Sequence, residues 1–495
     1  MKTVLHQLKT DGRVLDGMSY VIQCADGSTV VIDGSMYEDG EGLYSFLREL
    51  AGDKDPVVDA WFITHAHPDH SFCARAVADK YADRITVKKM IYHFPDREFL
   101  VHREPDCLIQ VPSFENSVKA FGAEHVIPQA GDRFCFGDTA FEILYTCADL
   151  PSLEECSNQC LNDTSLVFRM YAEGQSVLFL GDVQEAGDKV MIKRYGKDLK
   201  SDVCQVAHHG YYASTARFYD LVDPDILLWP ASVKVFETFS DCVSASRHLV
   251  SEMKIKDIYL MGHGTFSLEL PIKARPEPFL PKLEPLPVVE VKKELEIPYA
   301  ELVPDINDPL GESWGAVEFK EFDRVVDQRT PAKSFYKAMW RDDKLYLNIR
   351  VDKKFVSNPD RISSAQCDTA RVYLTDKPIT DHNLTWCEAE DEEGNYSNIK
   401  LYAEEKNYGD KKILNLGAGD NCVSSYLVED DRFYLTACIK MGSIHKKGDI
   451  IGFNLEVAGV ADPQGRRTHH EVLVTDGHGG YYGNSPYALI FAELA

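Results

Sequence analysis

The chain has 495 residues, of which 44% are hydrophobic and 27% are charged. That length suits two or three domains, and that composition excludes a disordered, collagen-like or coiled-coil protein. A formal net charge of −26 disfavours contact with phosphate polymers, so we expect no nucleic-acid polymer as a partner.

The N-terminal sequence is polar and lacks the apolar core of a signal peptide. No stretch of the sequence has the roughly 18 uncharged apolar residues that a membrane span requires. The 13 cysteines are an odd number at irregular spacing, which is typical of proteins that keep reduced thiols. These features predict a cytoplasmic protein with no membrane partner.

The first elements along the chain form a predicted hairpin. Residues 19–24 and 29–33 have strand-like composition and flank the turn sequence Ala25-Asp26-Gly27. Helical apolar spacing follows over residues 42–51, and a β-rich run occupies residues 57–63.

Strand patterns then alternate with helical patterns up to about residue 270, which indicates a mixed α/β domain. Residues 92–110 show no regular pattern. The predicted strands are 141–144, 165–171, 176–180, 203–206 and 226–229, and the predicted helices are 73–80, 186–195, 215–221 and 245–253.

Seven prolines lie between Pro271 and Pro298. Proline fixes φ and removes a backbone donor, so residues 271–298 are predicted to form an extended linker. This linker would separate one domain at residues 1–270 from a second domain at residues 299–495. The second domain has many short β-type runs split by Asp, Gly and Asn, which is typical of an all-β sandwich.

The most informative segment is Thr64-His65-Ala66-His67-Pro68-Asp69-His70. Side chains at positions i and i+2 of an extended segment share a face, so His65 and His67 can bind one ion. Asp69 and His70 lie at the following turn and can bind a second ion. Imidazole and carboxylate are ligands that suit zinc, iron and manganese.

This spacing resembles the His-x-His-x-Asp-His motif of the metallo-β-lactamase superfamily, and other stations of that family follow in order. Asp33 ends a strand, as the early structural aspartate of the family does. Gly181-Asp182 resembles the strand-end pair whose carboxylate bridges both metals, and His208-His209-Gly210 resembles the late histidine station. The resemblance covers residues 1 to about 270. It implies an αβ/βα sandwich with a hydrolytic centre of two zinc ions, with iron or manganese as alternatives.

The resemblance also implies roles for individual residues. Asp69 would bind metal and also orient the nucleophile or accept its proton. Adjacent residues of a strand point in opposite directions, so we favour His208 as a ligand and His209 as a residue that faces the substrate. The expected metal ligands are His65, His67, Asp69, His70, Asp182 and His208, and the expected catalytic residues are Asp69 and His209.

The sequence departs from the family at one station. Residues 162–167 are similar to the branch that contains the hydrolase domain of bacterial DNA-uptake competence proteins. Typical members of the superfamily have a metal-binding histidine before such a strand, where this chain has Asn162 or Asp163. The centre then holds one ion, or two ions of which one is more open to water. We expect Asn162, Asp163 and Tyr211 to line the substrate pocket.

The second domain resembles carbohydrate-binding modules of family 9. The matching segments are 335–347, 367–374, 447–454 and 483–487. A tryptophan that is often present after the stretch ending in Arg466-Arg467 is missing, and Trp340 is interpreted as a core residue. The resemblance implies a β-sandwich and makes carbohydrate a candidate partner.

These features together predict a hydrolase that uses a metal-bound hydroxide on a small phosphodiester or other ester, since zinc lowers the pKa of bound water to about 7. Two alternatives stay open: an iron-dependent oxidoreductase of the same fold, and a non-catalytic carbohydrate-binding or assembly protein. The intact His67 argues against the oxidoreductase, because flavodiiron members of the superfamily have a carboxylate at that position. The clustered ionisable side chains argue against a non-catalytic protein, because such a cluster is costly to keep without a metal.

Overall fold

The computed structural model divides into two compact units, unit 1 over Met1–Pro285 and unit 2 over Leu286–Ala495, and each is described by itself. The segment 483–487 of the second predicted domain lies outside the described residues. No helix within the described ranges is long and apolar enough to cross a membrane. The described residues are 2–10, 16–104, 107–150, 160–211, 213–240, 244–283, 292–315, 317–322, 324–356, 368–374, 398–402, 415–416, 422–441, 445–459, 469–473 and 490–495.

Strands and helices alternate along the described residues of unit 1. Its strands are β1 (Val4–Gln7), β2 (Ser19–Gln23), β3 (Thr29–Asp33), β4 (Val57–Val58), β5 (Ala60–Phe62), β6 (Thr86–Val87), β7 (Lys89–Ile91), β8 (Glu124–Val126), β9 (Arg133–Phe136), β10 (Thr139–Tyr145), β11 (Val167–Ala172), β12 (Gln175–Phe179), β13 (Val203–Gln205), β14 (Ile226–Trp229), β15 (Asp257–Leu260) and β16 (Phe266–Glu269). Its helices are α1 (Gly40–Leu50), α2 (Pro68–Tyr81), α3 (Arg97–Arg103), α4 (Cys107–Val118), α5 (Glu185–Tyr195), α6 (Ala216–Val222), α7 (Val233–Phe239) and α8 (Ser244–Ser251).

Most strands of unit 1 belong to two seven-stranded sheets, while β4 and β6 pair separately. The first sheet has the order β16-β1-β2-β3-β5-β7-β8, and the second has the order β15-β14-β13-β12-β11-β10-β9. The predicted hairpin is β2 and β3, which pair antiparallel with Ser19 opposite Asp33. Neighbouring strands are parallel from β3 to β8 and from β12 to β15. The carboxyl ends of these strands therefore meet at one edge of each sheet.

The two sheets pack face to face because their strands are apolar on both faces. In β3, Val30 and Ile32 are buried between the sheets, together with Phe168 and Phe179 of the second sheet. Val31 points the other way and packs under α1 and α2. Helices α5, α6 and α8 cover the outer face of the second sheet. Unit 1 is thus an αβ/βα sandwich, which confirms the predicted fold class.

Helix α2 begins at Pro68, ahead of the predicted start at residue 73. Proline is favoured at the first helical position, where its missing N–H would have no partner in the helix. His67 precedes it in an extended conformation, with a ψ angle of 148°. Asp69 and His70 therefore lie in the first turn of a helix.

The expectation that residues 92–110 are irregular is wrong. Helix α3 occupies part of this stretch, and the Asp96 side chain caps its first turn by accepting from Phe99 N at 2.8 Å. Helix α4 then begins at Cys107 and contains Pro112. Short helices with an internal proline lack the long apolar periodicity from which helices are predicted.

Residues 271–283 lie within the segment predicted as a linker, yet they pack against unit 1. Ile272 is buried between the two sheets. Arg275 donates to both carboxylate oxygens of Asp257, and Phe279 N donates to the same carboxylate. Proline removes backbone donors but does not prevent side-chain packing, so unit 1 extends past residue 270.

The described residues of unit 2 are largely strands. These are β17 (Leu295–Ile297), β18 (Lys320–Glu321), β19 (Arg324–Gln328), β20 (Ser334–Arg341), β21 (Lys344–Val351), β22 (Thr369–Leu374), β23 (Asn398–Tyr402), β24 (Asn415–Leu416), β25 (Cys422–Val428), β26 (Phe433–Lys440), β27 (Ile450–Gly459), β28 (His469–Val472) and β29 (Ile490–Leu494).

The described part of unit 2 has two main sheets, and most of its buried apolar residues form one large cluster. The five-stranded sheet has the order β18-β20-β21-β26-β25. The eight-stranded sheet contains the path β17-β29-β27-β22-β23-β24, with β28 beside β27 and β19 beside β28. Trp340 lies in the core with Leu347 and Phe453. The all-β class and the core position of Trp340 are both confirmed.

Candidate metal centre

The histidines and carboxylates of the sequence motifs lie after strands of both sheets of unit 1. The segment from His65 to His70 follows β5 in the first sheet. Asp182 follows β12, and His208 and His209 follow β13, the neighbouring strand of the second sheet. The site therefore takes side chains from both sheets, at the edge where the parallel strands end.

Asp182 lies at the centre of the site. One oxygen of its carboxylate, Oδ1, is buried and has no hydrogen-bond partner among the described residues. Burial alone would raise the pKa of this carboxyl, but the charges of His70 and His209 outweigh burial and hold the pKa well below its usual value. Its Oδ2 atom lies near four imidazole Nε2 atoms, at 3.1 Å from His70, 3.6 Å from His209, 3.8 Å from His65 and 4.0 Å from His208.

Three side chains form a compact group with Asp182, and we call Asp69, His70 and His209 the second half-site. One ligand atom of each, with one oxygen of Asp182, lies within 4.8 Å of the others. His70 Nε2 is 3.3 Å from His209 Nε2, which is 3.7 Å from Asp69 Oδ2. Two imidazole nitrogens and two carboxylate oxygens at these distances can bind one transition-metal ion.

Buried hydrogen bonds direct the Nε2 atoms of the second half-site towards Asp182. His70 Nδ1 donates to Asp33 Oδ2 at 2.7 Å, and His209 Nδ1 donates to the Pro230 carbonyl at 2.7 Å. Since Nδ1 is engaged in each ring, Nε2 is the atom available to a metal. Asp33 also accepts from the backbone N–H and the hydroxyl of Thr64.

His65 and His67 form a second group beside Asp182, and we call this pair the first half-site. His65 Nε2 is 2.9 Å from His67 Nδ1, close enough for both nitrogens to bind one ion. Burial lowers the pKa of both rings, so both are neutral and keep a lone pair for a metal. Asp182 Oδ2 lies near an imidazole of each half-site, so this carboxylate can be shared by two ions.

Both late histidines face Asp182, whereas the sequence interpretation directed only one of them there. His208 and His209 have φ angles of 48° and 56°, so the chain is not a strand at this point and its side chains do not alternate. Gly210 continues with a φ of 88°, and a Cβ there would lie 2.6 Å from the Trp229 ring. The geometry groups His209 with Asp69 and His70, where the sequence interpretation expects His208.

His208 lies nearer to the surface than His209, and the exposed fractions of the two side chains are 26% and 2%. His208 Nε2 is 3.3 Å from Asn162 Nδ2, and His208 Nδ1 is 3.4 Å from Gln184 Nε2. The Tyr211 ring stands 5.4 Å from the His208 ring. Tyr211 and His208 therefore border the open side of the site.

Asn162 and Asp163 point in different directions. Asn162 faces His208, and its Oδ1 atom is buried and lacks a hydrogen-bond partner in the described part of the chain. Asp163 accepts from Gly187 N at 3.1 Å and from Cys160 N at 3.2 Å. Asp163 thus fastens α5 to the preceding loop and does not face the site, which differs from its expected place in the pocket wall.

The residues present fit a transition-metal ion. The unsatisfied Oδ1 of buried Asp182 is an acceptor that needs a cation or a donor. Burial lowers the pKa of His70, but Asp182 and Asp33 raise it well above its usual value, so the site favours positive charge. Nitrogen and oxygen ligands of this kind suit zinc, iron and manganese alike.

Two contacts of the site had no clear sequence signal. The Pro230 carbonyl orients His209, and a backbone carbonyl has no signature in sequence. Gln184 reaches His208 from the segment before α5, where a lone glutamine is usually a surface residue.

A family model matches the part of unit 1 that contains the histidine motif. Residues 12–126 match the family model described as the metallo-beta-lactamase superfamily. A search of curated proteins found no match. The superfamily match includes the histidine motif and ends before Asp182 and the late histidines.

Several solved structures are similar to parts of the chain. The metallo-beta-lactamase fold protein YhfI from Bacillus subtilis is 12% identical, with a TM-score of 0.35, and the match covers 54% of this chain and 100% of that one. CmlA, a diiron beta-hydroxylase from Streptomyces venezuelae, is 13% identical, with a TM-score of 0.35 and coverage of 54% of each chain. A family 9 carbohydrate-binding module from Caldicellulosiruptor kristjanssonii, in complex with cellotriose, is 18% identical, with a TM-score of 0.32 and coverage of 40% of this chain and 92% of that one. Because one fold hosts many activities, such similarities do not assign a reaction.

Proposed function

We propose that this metallo-β-lactamase-like chain is a metal-dependent hydrolase of a small phosphodiester or other ester. The observation that carries the proposal is the position of Asp182, whose Oδ2 lies within 4.0 Å of imidazole nitrogens from both half-sites. His65 and His67 would hold one ion, the second half-site would hold another, and Asp182 would bridge them.

The chain's own residues can prepare a substrate and a water molecule for reaction. A bound ion of this kind supplies Lewis acidity, which polarises an ester or phosphoryl oxygen and lowers the pKa of water. Asp69 is partly exposed and lies 3.7 Å from His209 Nε2, so its carboxylate can orient that water or accept its proton. Asp33 and the Pro230 carbonyl hold the imidazoles of His70 and His209 in place, so the ligands need not reorganise during the reaction.

A small substrate agrees with the charge of the chain. A net charge of −26 provides no general attraction for a phosphate polymer, which binds mainly through Lys and Arg. The site itself favours cations and would attract one or two phosphate groups once it holds metal. We therefore propose small phosphodiesters or esters as substrates and expect slow cleavage of long duplex DNA.

A panel of substrates would test the proposal. A chromogenic bis-aryl phosphodiester, a lactam, a thioester and linear DNA would each be incubated with the purified protein and added zinc or manganese. We expect turnover of the phosphodiester or a simple ester, and loss of turnover in an Asp182→Asn variant. Turnover of only the lactam or the thioester would change the substrate class, and fast DNA cleavage with steep salt dependence would contradict the charge argument.

Elemental analysis of the purified protein would test the alternative functions. Zinc or manganese would support the hydrolase, whereas two equivalents of iron with no esterase activity would favour the oxidoreductase.

Carbohydrate binding by unit 2 stays a prediction, to be checked by titration with cellotriose. Trp314 and Trp340 are both buried, so neither offers an exposed ring to a sugar.

A further inference from the structure

Apart from Asp182, which they share, the two half-sites have different numbers of candidate ligands. The second half-site has Asp69, His70 and His209 in addition to Asp182. The first half-site has only His65 and His67 in addition to that carboxylate, and the residue at the departing station is an asparagine. An ion with two imidazoles and a shared carboxylate lacks one ligand relative to its neighbour.

His208 lies beside both the shared carboxylate and residue 162, where typical members of the superfamily have a metal-binding histidine. Its Nε2 atom is 4.0 Å from Asp182 Oδ2, nearly the same distance as His65 Nε2, at 3.8 Å. The same Nε2 atom lies 3.3 Å from Asn162 Nδ2. The imidazole is therefore close to residue 162, the position at which the sequence departs from the superfamily pattern. Asn162 is 7% exposed, and its unsatisfied Oδ1 makes this a buried polar place rather than a packed apolar one.

The backbone at His208 supports a functional reason for this position. His208 and His209 both lie in the left-handed region, which residues other than glycine rarely adopt, and strain of this kind is concentrated at functional sites. His208 N donates to the Gly181 carbonyl at 3.1 Å, and Tyr211 N donates to the His208 carbonyl at 2.8 Å. These bonds hold the conformation in which two adjacent imidazoles face one carboxylate.

We infer that His208 is the third imidazole ligand of the first half-site and replaces the histidine that this chain lacks at residue 162. The inference rests on the metal centre of the proposed function, but it concerns ligands and not the reaction. Because His208 is the most exposed of the four imidazoles near Asp182, an ion in the first half-site would be removed by a chelator before an ion in the second half-site.

Zinc content would test the inference directly. Wild type, His208→Ala, His208→Gln and a control, His263→Ala, would be loaded with zinc, passed through a desalting column with a weak chelator, and measured by elemental analysis. We expect two zinc ions per chain in wild type and in the control, and one in both His208 variants. His263 is a matched control because its ring packs against Phe279, with centroids 4.7 Å apart, and is not part of the site.

A second experiment would test replacement rather than simple loss. Asn162→His introduced into the His208→Ala chain would supply the family's histidine where the His208 ring was, and we expect the second zinc ion to return. Circular dichroism and thermal unfolding would show that each variant is folded. A double variant that stays at one zinc ion would overturn the inference, because residues 162 and 208 would then not supply a ligand to the same ion.

The outcomes separate this inference from the proposed function. His208 variants that keep two zinc ions at wild-type affinity would overturn the inference even if the protein hydrolyses esters. The inference would also fall if wild type and the His208 variants each bound a single ion. Loss of one ion on His208 substitution, in a protein that hydrolyses none of the tested substrates, would support the ligand assignment and contradict the hydrolase.

Discussion

Asp33 Oδ2 accepts a hydrogen bond from His70 Nδ1 at 2.7 Å, and neither side chain is exposed to solvent. Asp33 ends β3, and His70 lies in the first turn of α2. The bond therefore joins a strand end to a helix start and leaves His70 Nε2 facing Asp182. Asp33 is thus a positioning residue for the candidate ligand His70.

An Asp33→Asn variant should bind zinc about 10- to 100-fold more weakly, as is typical when the partner of a metal-binding histidine is removed. Asparagine keeps the volume but loses the charge that stabilises the His70 ring orientation. Competition with a chromophoric chelator would measure the affinity. Asp59→Asn is a matched control, since Asp59 accepts from Thr29 N at the other end of β3. Equal affinities in the two variants would contradict the role assigned to Asp33.

Asp182 and Asp163 should respond differently to removal. Asp182→Ala should lose at least one metal ion and most activity, because its Oδ2 lies within 4.0 Å of imidazoles of both half-sites. Asp163→Ala should keep its metal but unfold more easily, by about 1–3 kcal/mol, because Gly187 N and Cys160 N lose their buried acceptor. Metal analysis and urea denaturation would check both. An inactive, metal-free Asp163→Ala protein beside a wild-type-like Asp182→Ala protein would reverse these assignments.

Truncation should show where unit 1 ends. A fragment of residues 1–283 should fold and bind metal. A fragment of residues 1–264 loses β16, which pairs with β1, and the buried Ile272, so it should be unstable. Circular dichroism and zinc content of the two fragments would be compared. A stable, metal-binding 1–264 fragment would show that unit 1 does not need residues 265–283 to fold.

The Asp257–Arg275 contact should give stability that depends on pH. Burial raises the pKa of Asp257, but hydrogen bonds from Arg275 outweigh burial and hold this pKa below its usual value near 3.8. A carboxyl with a lowered pKa stabilises the fold above that value and loses this effect as the pH falls. Asp257→Asn should thus cost about 2 kcal/mol at pH 7 and less below about pH 4, measured by urea unfolding. A difference that does not change with pH would contradict the ion pair.

Unit 2 contains a buried ion pair that offers a test independent of the metal centre. Lys353 Nζ lies 2.7 Å and 2.6 Å from the two oxygens of Asp368, which also accepts from Val356 N. Asp368→Ala should destabilise the protein by about 3–5 kcal/mol, because it leaves a buried ammonium without its partner. A Lys353→Met, Asp368→Leu double variant should recover much of this loss. Thermal unfolding of the three proteins would measure it, and an unchanged Asp368→Ala variant would show that water replaces the carboxylate.

Local sequence signals predicted the parts of unit 1 that depend on neighbouring residues. The hairpin of β2 and β3 has a Gly-containing turn between two β-rich runs, and both strands formed where that pattern placed them. The motif from His65 to His70 is also partly local, since Pro68 starts the helix that places Asp69 and His70 in its first turn, after the extended His67. Such elements need no information from distant residues.

Contacts between residues distant in sequence determine the side-chain orientations and the packing that sequence patterns did not predict. The orientation of His208 and His209 depends on a left-handed backbone that Gly210 continues beneath the Trp229 ring, and Trp229 belongs to a later strand. The Asp163 side chain does not face the site because it accepts a hydrogen bond from a backbone N–H of α5. Residues 271–283 of the Pro-rich segment pack on the rest of unit 1 through hydrogen bonds to the buried Asp257 carboxylate, which proline spacing does not reveal.

The centre receives its side chains from two sheets, His65 to His70 from one and Asp182 with His208 and His209 from the other. An ion bound there would act as a cross-link between chain segments more than a hundred residues apart. Metal at 1,000 times its dissociation constant would add about 4 kcal/mol to the free energy of unfolding. Removal of the metal should therefore raise amide hydrogen exchange after β5, β12 and β13 together, so that distant loops lose protection as one cooperative group.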